Sequence, residues 1–277
     1  MPRLVVEMTA FLCIVTFVFA QSTTLHGTLV LIQADSNRII VAADSRRRSG
    51  PGEFTDSACK INVLGPHMFF TAAGDVALTH VDHGRDIIVY DAHEFAKTVF
   101  KTHQMSTAHE IAGLWSELIR RRLQRAINAT PKSFGTYTPK FQAVFASTSS
   151  TELHIYRMEV AVKKSKTGSG VVSVEQKSFL MPPNEPTMYL GGEALPDVVE
   201  FLQNQTPRAV EANKHLRGDI ADNPDRDAVA LRMQFAIQYA ADWSTSKDTV
   251  GGPVDILELT HKGNRWIAVK NECKNQN

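Results

Sequence analysis

Gly27-Thr28-Leu29-Val30-Leu31-Ile32-Gln33-Ala34-Asp35-Ser36-Asn37-Arg38-Ile39-Ile40-Val41-Ala42-Ala43-Asp44 is the stretch on which the reading of the whole chain turns. Residues 29–33 and 38–43 are apolar and rich in β-branched side chains, and residues 34–37 between them carry turn chemistry, so the stretch reads as a β-hairpin. Centred on Ser36, the hairpin sets Thr28 opposite Asp44, because the two are equidistant from residue 36. The chain then turns through Ser49-Gly50-Pro51-Gly52 and returns over residues 58–63 as a third short strand, which carries Lys60 to the same end of the sheet.

Those residue types at those positions suggest a chemistry. A threonine exposed by cutting the Gly27-Thr28 bond carries its own base, the freed α-amine, whose ordinary pKa of about 7.7 to 8.0 suits proton transfer near neutral pH. An ammonium at Lys60 would favour the alkoxide form of the Thr28 hydroxyl, and Asp44 would hold that ammonium charged and oriented. Taken singly, Asp44 reads as a strand-end turn residue and Lys60 as a solvated edge lysine. Their joint spacing from the Gly-Thr pair favours a site.

Gly27-Thr28, Val41-Ala42-Ala43-Asp44-Ser45-Arg46, Lys60 and Phe70-Thr71-Ala72-Ala73-Gly74 resemble, without a gap, the catalytic β subunits of the proteasome, within the N-terminal nucleophile hydrolases. The resemblance implies an α+β fold, a four-layer αββα sandwich of two antiparallel sheets flanked by helices. It implies that the Gly74 backbone N–H stabilises an oxyanion, and that Asp248 in Thr245-Ser246-Lys247-Asp248-Thr249-Val250-Gly251-Gly252 supports the amine of the nucleophile. Val250 stands where the family has a serine, and Tyr189-Leu190-Gly191-Gly192-Glu193 lacks the serine of the family's glycine turn. In the same register Arg47, Ala58, Asn62, Ala72 and Val76 shape the substrate pocket. The implied activity is hydrolysis of a peptide or small amide through Thr28, with no metal or organic cofactor and with a homo-oligomer as one form of assembly. A non-catalytic scaffold of the same fold is the alternative from another class.

The 277 residues are 43% hydrophobic with a formal net charge of +1, which suits one globular domain over residues 28–277 and gives no electrostatic case for nucleic acid. Arg3 followed by the apolar run at residues 8–20 reads as a secretory signal over residues 1–20, too short for a stable membrane anchor, and residues 21–27 then form a propeptide. The expected location is therefore exported. Cys59 and Cys273 would be the cysteines of the mature chain, either paired or as two thiols. Asn128-Ala129-Thr130 and Asn204-Gln205-Thr206 fit the glycosylation pattern. His80 and His83 lack further ligands at usable spacing, so no metal site is expected. Arg46-Arg47-Arg48 and Arg120-Arg121-Arg122 read as solvated faces.

Further along, residues 68–73 read as a strand ending at Gly74, residues 75–103 as a helix, and residues 107–127 as a second helix with a capping signal at Thr107. Strands are expected over 141–146, 152–162 and 170–179, helices over 196–205 and 225–241, and a closing strand pair over 254–260 and 266–270.

Overall fold

The computed structural model describes residues 22–27, 29–50, 53–82, 85–129, 139–149, 151–164, 170–179, 188–191, 194–243 and 249–274. Eight strands come first: β1 (Ser22–Gly27), β2 (Val30–Ala34), β3 (Arg38–Ala43), β4 (Arg47–Gly50), β5 (Glu53–Thr55), β6 (Ile61–Gly65), β7 (Met68–Asp82) and β8 (Arg85–Asp91). Two helices follow, α1 (Ala92–Thr102) and α2 (Ala108–Ala129), then strands β9 (Lys140–Thr148), β10 (Leu153–Lys164), β11 (Gly170–Phe179) and β12 (Met188–Leu190). Helices α3 (Leu195–Leu202), α4 (Pro207–Asp222) and α5 (Ala228–Trp243) precede the strands β13 (Asp255–Thr260) and β14 (Gly263–Ala268) and the short helix α6 (Asn271–Lys274).

The hairpin at the head of the chain forms one residue away from the expected register. Val30 pairs with Ala43 and Ala34 with Ile39, so the centre lies between Ser36 and Asn37, and Leu29 rather than Thr28 exchanges bonds with Asp44. The cause is local. The Asp35 carboxylate accepts from the N–H groups of Asn37 (2.8 Å) and Arg38 (3.0 Å), and the Asp35 N–H donates to the Arg38 carbonyl, which closes a two-residue loop with an even count.

The fold is mixed α and β with two antiparallel sheets, an arrangement compatible with a sandwich. One sheet runs β11-β10-β9-β7-β1-β4-β5, with β6 and β8 also on β7, and the other runs β12-β2-β3-β13-β14. Alternation within the strands explains the packing. Val30, Ile32, Ile39 and Val41 meet Ile61, Phe69, Ala73 and Val144 in a cluster between the sheets. Their sequence neighbours Leu29, Leu31, Ile40 and Ala42 turn the other way, onto Val198, Phe201, Leu216, Leu231 and Ile237 of α3, α4 and α5. Strands buried on both faces read as continuous apolar runs, and that is how β2 and β3 read. On the far side of the larger sheet Phe70, Ala72, Phe141 and Phe145 pack on Ala96, Ile111, Trp115 and Ile119 of α1 and α2. The Trp115 Nε1–H donates to the Ala92 carbonyl (3.0 Å), so even the largest core side chain has its polar atom satisfied.

Two expected elements are corrected. The helix expected over residues 75–103 is mostly strand: β7 continues to Asp82, β8 returns, and α1 begins only at Ala92, where Asp91 caps it by accepting from the N–H groups of His93 and Glu94. Val76 and Leu78 are the period-2 signal that a helical count obscures. Helix α4 has no counterpart in the expected elements, because its surface is polar and only Ala209, Asn213 and Leu216 are buried; its visible signals are the Thr206 cap and Pro207. The Asn204 acceptor pattern occupies the turn before α4, with Asn204 at φ 53°. No helix of the described residues is long and apolar enough to cross a membrane. Residues 1–21 lie outside the described residues, and with them the signal reading and the start of the propeptide.

Cys59 and Cys273, left open by the sequence, are disulfide-bonded across a separation of 214 residues. Closing so long a loop restricts the unfolded chain, so Cys273→Ser is expected to lower stability by about 2–5 kcal/mol. Urea unfolding checks this, and an unchanged midpoint would show that the cross-link contributes nothing.

Candidate functional site

Asp44 follows the last residue of β3, where the hairpin ends, and both Asp44 (0% exposed) and Lys60 (1% exposed) are buried. The Lys60 ammonium donates to Asp44 Oδ1 at 2.6 Å. Oδ1 also accepts from the Leu29 N–H (3.1 Å), while Oδ2 accepts from the N–H groups of Arg46 (3.1 Å) and Gly251 (3.2 Å). A buried carboxylate stays charged only when its lone pairs are occupied in this way. Lys60 sits just before β6, and its carbonyl is held by the Thr71 hydroxyl (2.8 Å). Burial pushes the Lys60 ammonium below the usual lysine range; Asp44 opposes that fall, and the cations Arg47 and Lys270 add to it. A buried lysine with a depressed pKa and one dedicated carboxylate is a group suited to stabilising charge or moving a proton.

Gly74 lies beside the residue that precedes Thr28. On β1, Gly27 pairs with Gly74 of β7 on one side and with Arg47 of β4 on the other. Gly74 has φ +100°, and a Cβ there would lie 2.7 Å from the Lys140 carbonyl oxygen and 2.9 Å from the Phe141 Cα. Both the backbone conformation and the space therefore demand glycine. Residues 22–27 are thus held as a strand between β7 and β4, the geometry an extended peptide adopts when it adds to a sheet.

The five expected pocket residues divide. Ala72 and Val76 face the α1 and α2 side of the sheet. Asn62 (1% exposed) joins them there, since its Oδ1 meets Nδ1 of His93 on α1 at 2.6 Å. An amide oxygen can only accept, so the His93 proton is on Nδ1, and Nε2 is a buried atom without a partner. Burial holds the His93 pKa well below the usual imidazole range, helped by Arg47, Lys97 and Lys60, so this ring is neutral at physiological pH. Arg47 is half-buried and acts electrostatically on both His93 and Lys60. Ala58 instead belongs to a second polar cluster described next, where its carbonyl accepts from Lys270.

Lys270, Asp255 and Ser45 form this second cluster. The Lys270 ammonium donates to Asp255 Oδ2 (2.6 Å), Ser45 Oγ (2.5 Å) and the Ala58 carbonyl (3.0 Å), and Ser45 Oγ donates to the Pro253 carbonyl. With the Cys59–Cys273 bond, the C-terminal segment thus grips the residue after Asp44 and the two residues before Lys60. The contacts of Lys270 with Ser45 and Ala58 were not readable in the sequence, where they are separated by 225 and 212 residues; nor was His93, which reads there as one more helical residue.

Thr28 and Asp248 lie outside the described residues, as does His83. Their neighbours are described: Gly27 as above, Leu29 bonded to Asp44, and Gly251, whose carbonyl accepts from the N–H groups of Ser45 (3.1 Å) and Arg46 (3.0 Å). Among the described residues no group of three or more His, Cys, Asp or Glu side chains is placed to hold a metal ion. Neither the known protein-family models nor the curated proteins give a match to this chain.

Proposed function

We propose that the chain is an exported threonine-type amide or peptide hydrolase of the N-terminal nucleophile class, with a four-layer αββα sandwich and with Thr28 as the nucleophile after the Gly27-Thr28 bond is cut. The observation that carries this reading is the joint placement of Gly27 opposite Gly74 and of the buried Lys60–Asp44 pair against Leu29. The two residues that flank Thr28 in the chain are therefore each tied to one part of the expected machinery.

In the proposed reaction the freed amine of Thr28 takes the hydroxyl proton as the oxygen attacks the substrate carbonyl. Lys60 lowers the energy of the developing alkoxide, Asp44 fixes Lys60, and the Gly74 N–H meets the oxyanion. The amine then passes the proton to the leaving nitrogen, and water hydrolyses the resulting ester. Asp248 supports the amine. Excision of the segment before Thr28 follows the same logic: its hydroxyl attacks the Gly27 carbonyl, where the absence of a side chain leaves the approach open. A cross-link between Cys59 and Cys273 suits an oxidising compartment, in keeping with export.

A peptide epoxyketone tests the reading, because it closes a ring through the hydroxyl and the amine of one residue and so marks only an N-terminal nucleophile. Stoichiometric labelling mapped to Thr28 is expected. Hydrolytic activity that survives a large excess of the reagent without labelling would refute it.

A further inference from the structure

Opposite Gly27 stands a cation, Arg47, that has no counter-charge among the described residues. Among the described residues Arg47 makes no ion pair and no side-chain hydrogen bond, and its Nε is buried without a partner. A buried guanidinium atom left unsatisfied costs free energy, which makes it an unusual resting state for the side chain best suited to bidentate carboxylate recognition. The neighbouring acids are engaged elsewhere. Asp44 holds Lys60, Asp56 holds Arg46 through two bonds of 2.7 and 2.8 Å, and Glu94 holds Lys97 at 2.9 Å. Asp75, next along β7 from Gly74, accepts from the Lys140 N–H at 2.9 Å.

Strand register says what Arg47 faces. Directly opposed residues of antiparallel strands place their side chains on the same face of the sheet, with Cβ atoms about 5 Å apart. Arg47, Gly27, Gly74 and Phe141 form one such row across β4, β1, β7 and β9. Phe141 turns to the α1 and α2 side, where Ala72, Val76, Asn62 and His93 also lie. A substrate seated as β1 is seated would therefore send the side chain of its acyl-side residue to the face shared with Arg47. Gly27 itself has no side chain to offer.

Resting on the hydrolase reading above, we propose that the acyl-side pocket selects a carboxylate, so that the preferred substrates are peptides or amides cleaved after glutamate or aspartate. The Arg47 guanidinium is the specificity-determining group. The charge of Arg47 favours the same ligand and disfavours a lysine in its place.

A set of fluorogenic peptides that differ only in the acyl-side residue, Glu, Asp, Gln, Leu or Lys, tests this with the purified mature chain. A kcat/KM for Glu roughly ten- to a hundredfold above that for its isostere Gln is expected, the range of a charge-assisted pair, with Lys lowest. In Arg47→Gln the Glu-to-Gln ratio should fall to within about twofold, and in Arg47→Glu the order of Glu and Lys should invert. Hydrolysis of the set with a wild-type Glu-to-Gln ratio near one would overturn the inference and leave the hydrolase reading standing. No hydrolysis of any peptide together with no epoxyketone labelling of Thr28 would remove both.

Discussion

A Thr28→Ala chain is expected to hydrolyse no amide above the uncatalysed rate and to keep the peptide bond after Gly27 intact. One residue supplies nucleophile, base and cleavage agent in the proposed chemistry, so no partial loss is available. Thr28→Ser retains a hydroxyl and an amine, and should retain both excision and turnover at reduced rate. The two variants together separate loss of the functional group from loss of the fold, and circular dichroism of Thr28→Ala should match that of the parent. Turnover in Thr28→Ala equal to the parent's would assign the chemistry to another residue.

Lys60→Met comes next in expected effect, and it acts on two quantities at once. Loss of the ammonium removes the charge proposed to stabilise the Thr28 alkoxide, with an expected fall in kcat of about 10³-fold. Asp44, 0% exposed, is then left without its counter-charge, which costs on the order of 3–5 kcal/mol of stability at neutral pH. Urea midpoints of parent and variant at neutral pH measure this loss, and an unchanged midpoint would show that the Lys60–Asp44 pair contributes nothing to stability.

The sequence revealed the hairpin of β2 and β3 and the approach of Lys60 to Asp44, because both depend on short spacings and on apolar runs. It missed the register by one residue, since the Asp35 side chain, rather than the symmetry of the run, closes the turn. It misread β8 as helix because apolar residues in a strand return at spacings that a helical count also accepts, and the Asp91 cap marks the true start of α1. Gly74 was expected to end a strand but lies inside β7, which runs on to Asp82; its positive φ and the neighbouring Lys140 carbonyl of β9 are what require glycine. Lys270 and Asp255 stayed hidden because only the folded chain brings the C-terminal segment to residues 45 and 58–59, which also decides the Cys59–Cys273 pairing that the sequence left open. His93 was invisible for a similar reason, its partner Asn62 lying on another element.

The mass of the intact mature protein is the most direct measurement. A chain whose first residue is Thr28, with a free amine detected by N-terminal sequencing and with amide-hydrolysing activity in the same sample, is the expected result. Material that hydrolyses amides at full rate while Gly27 and Thr28 remain joined would contradict it.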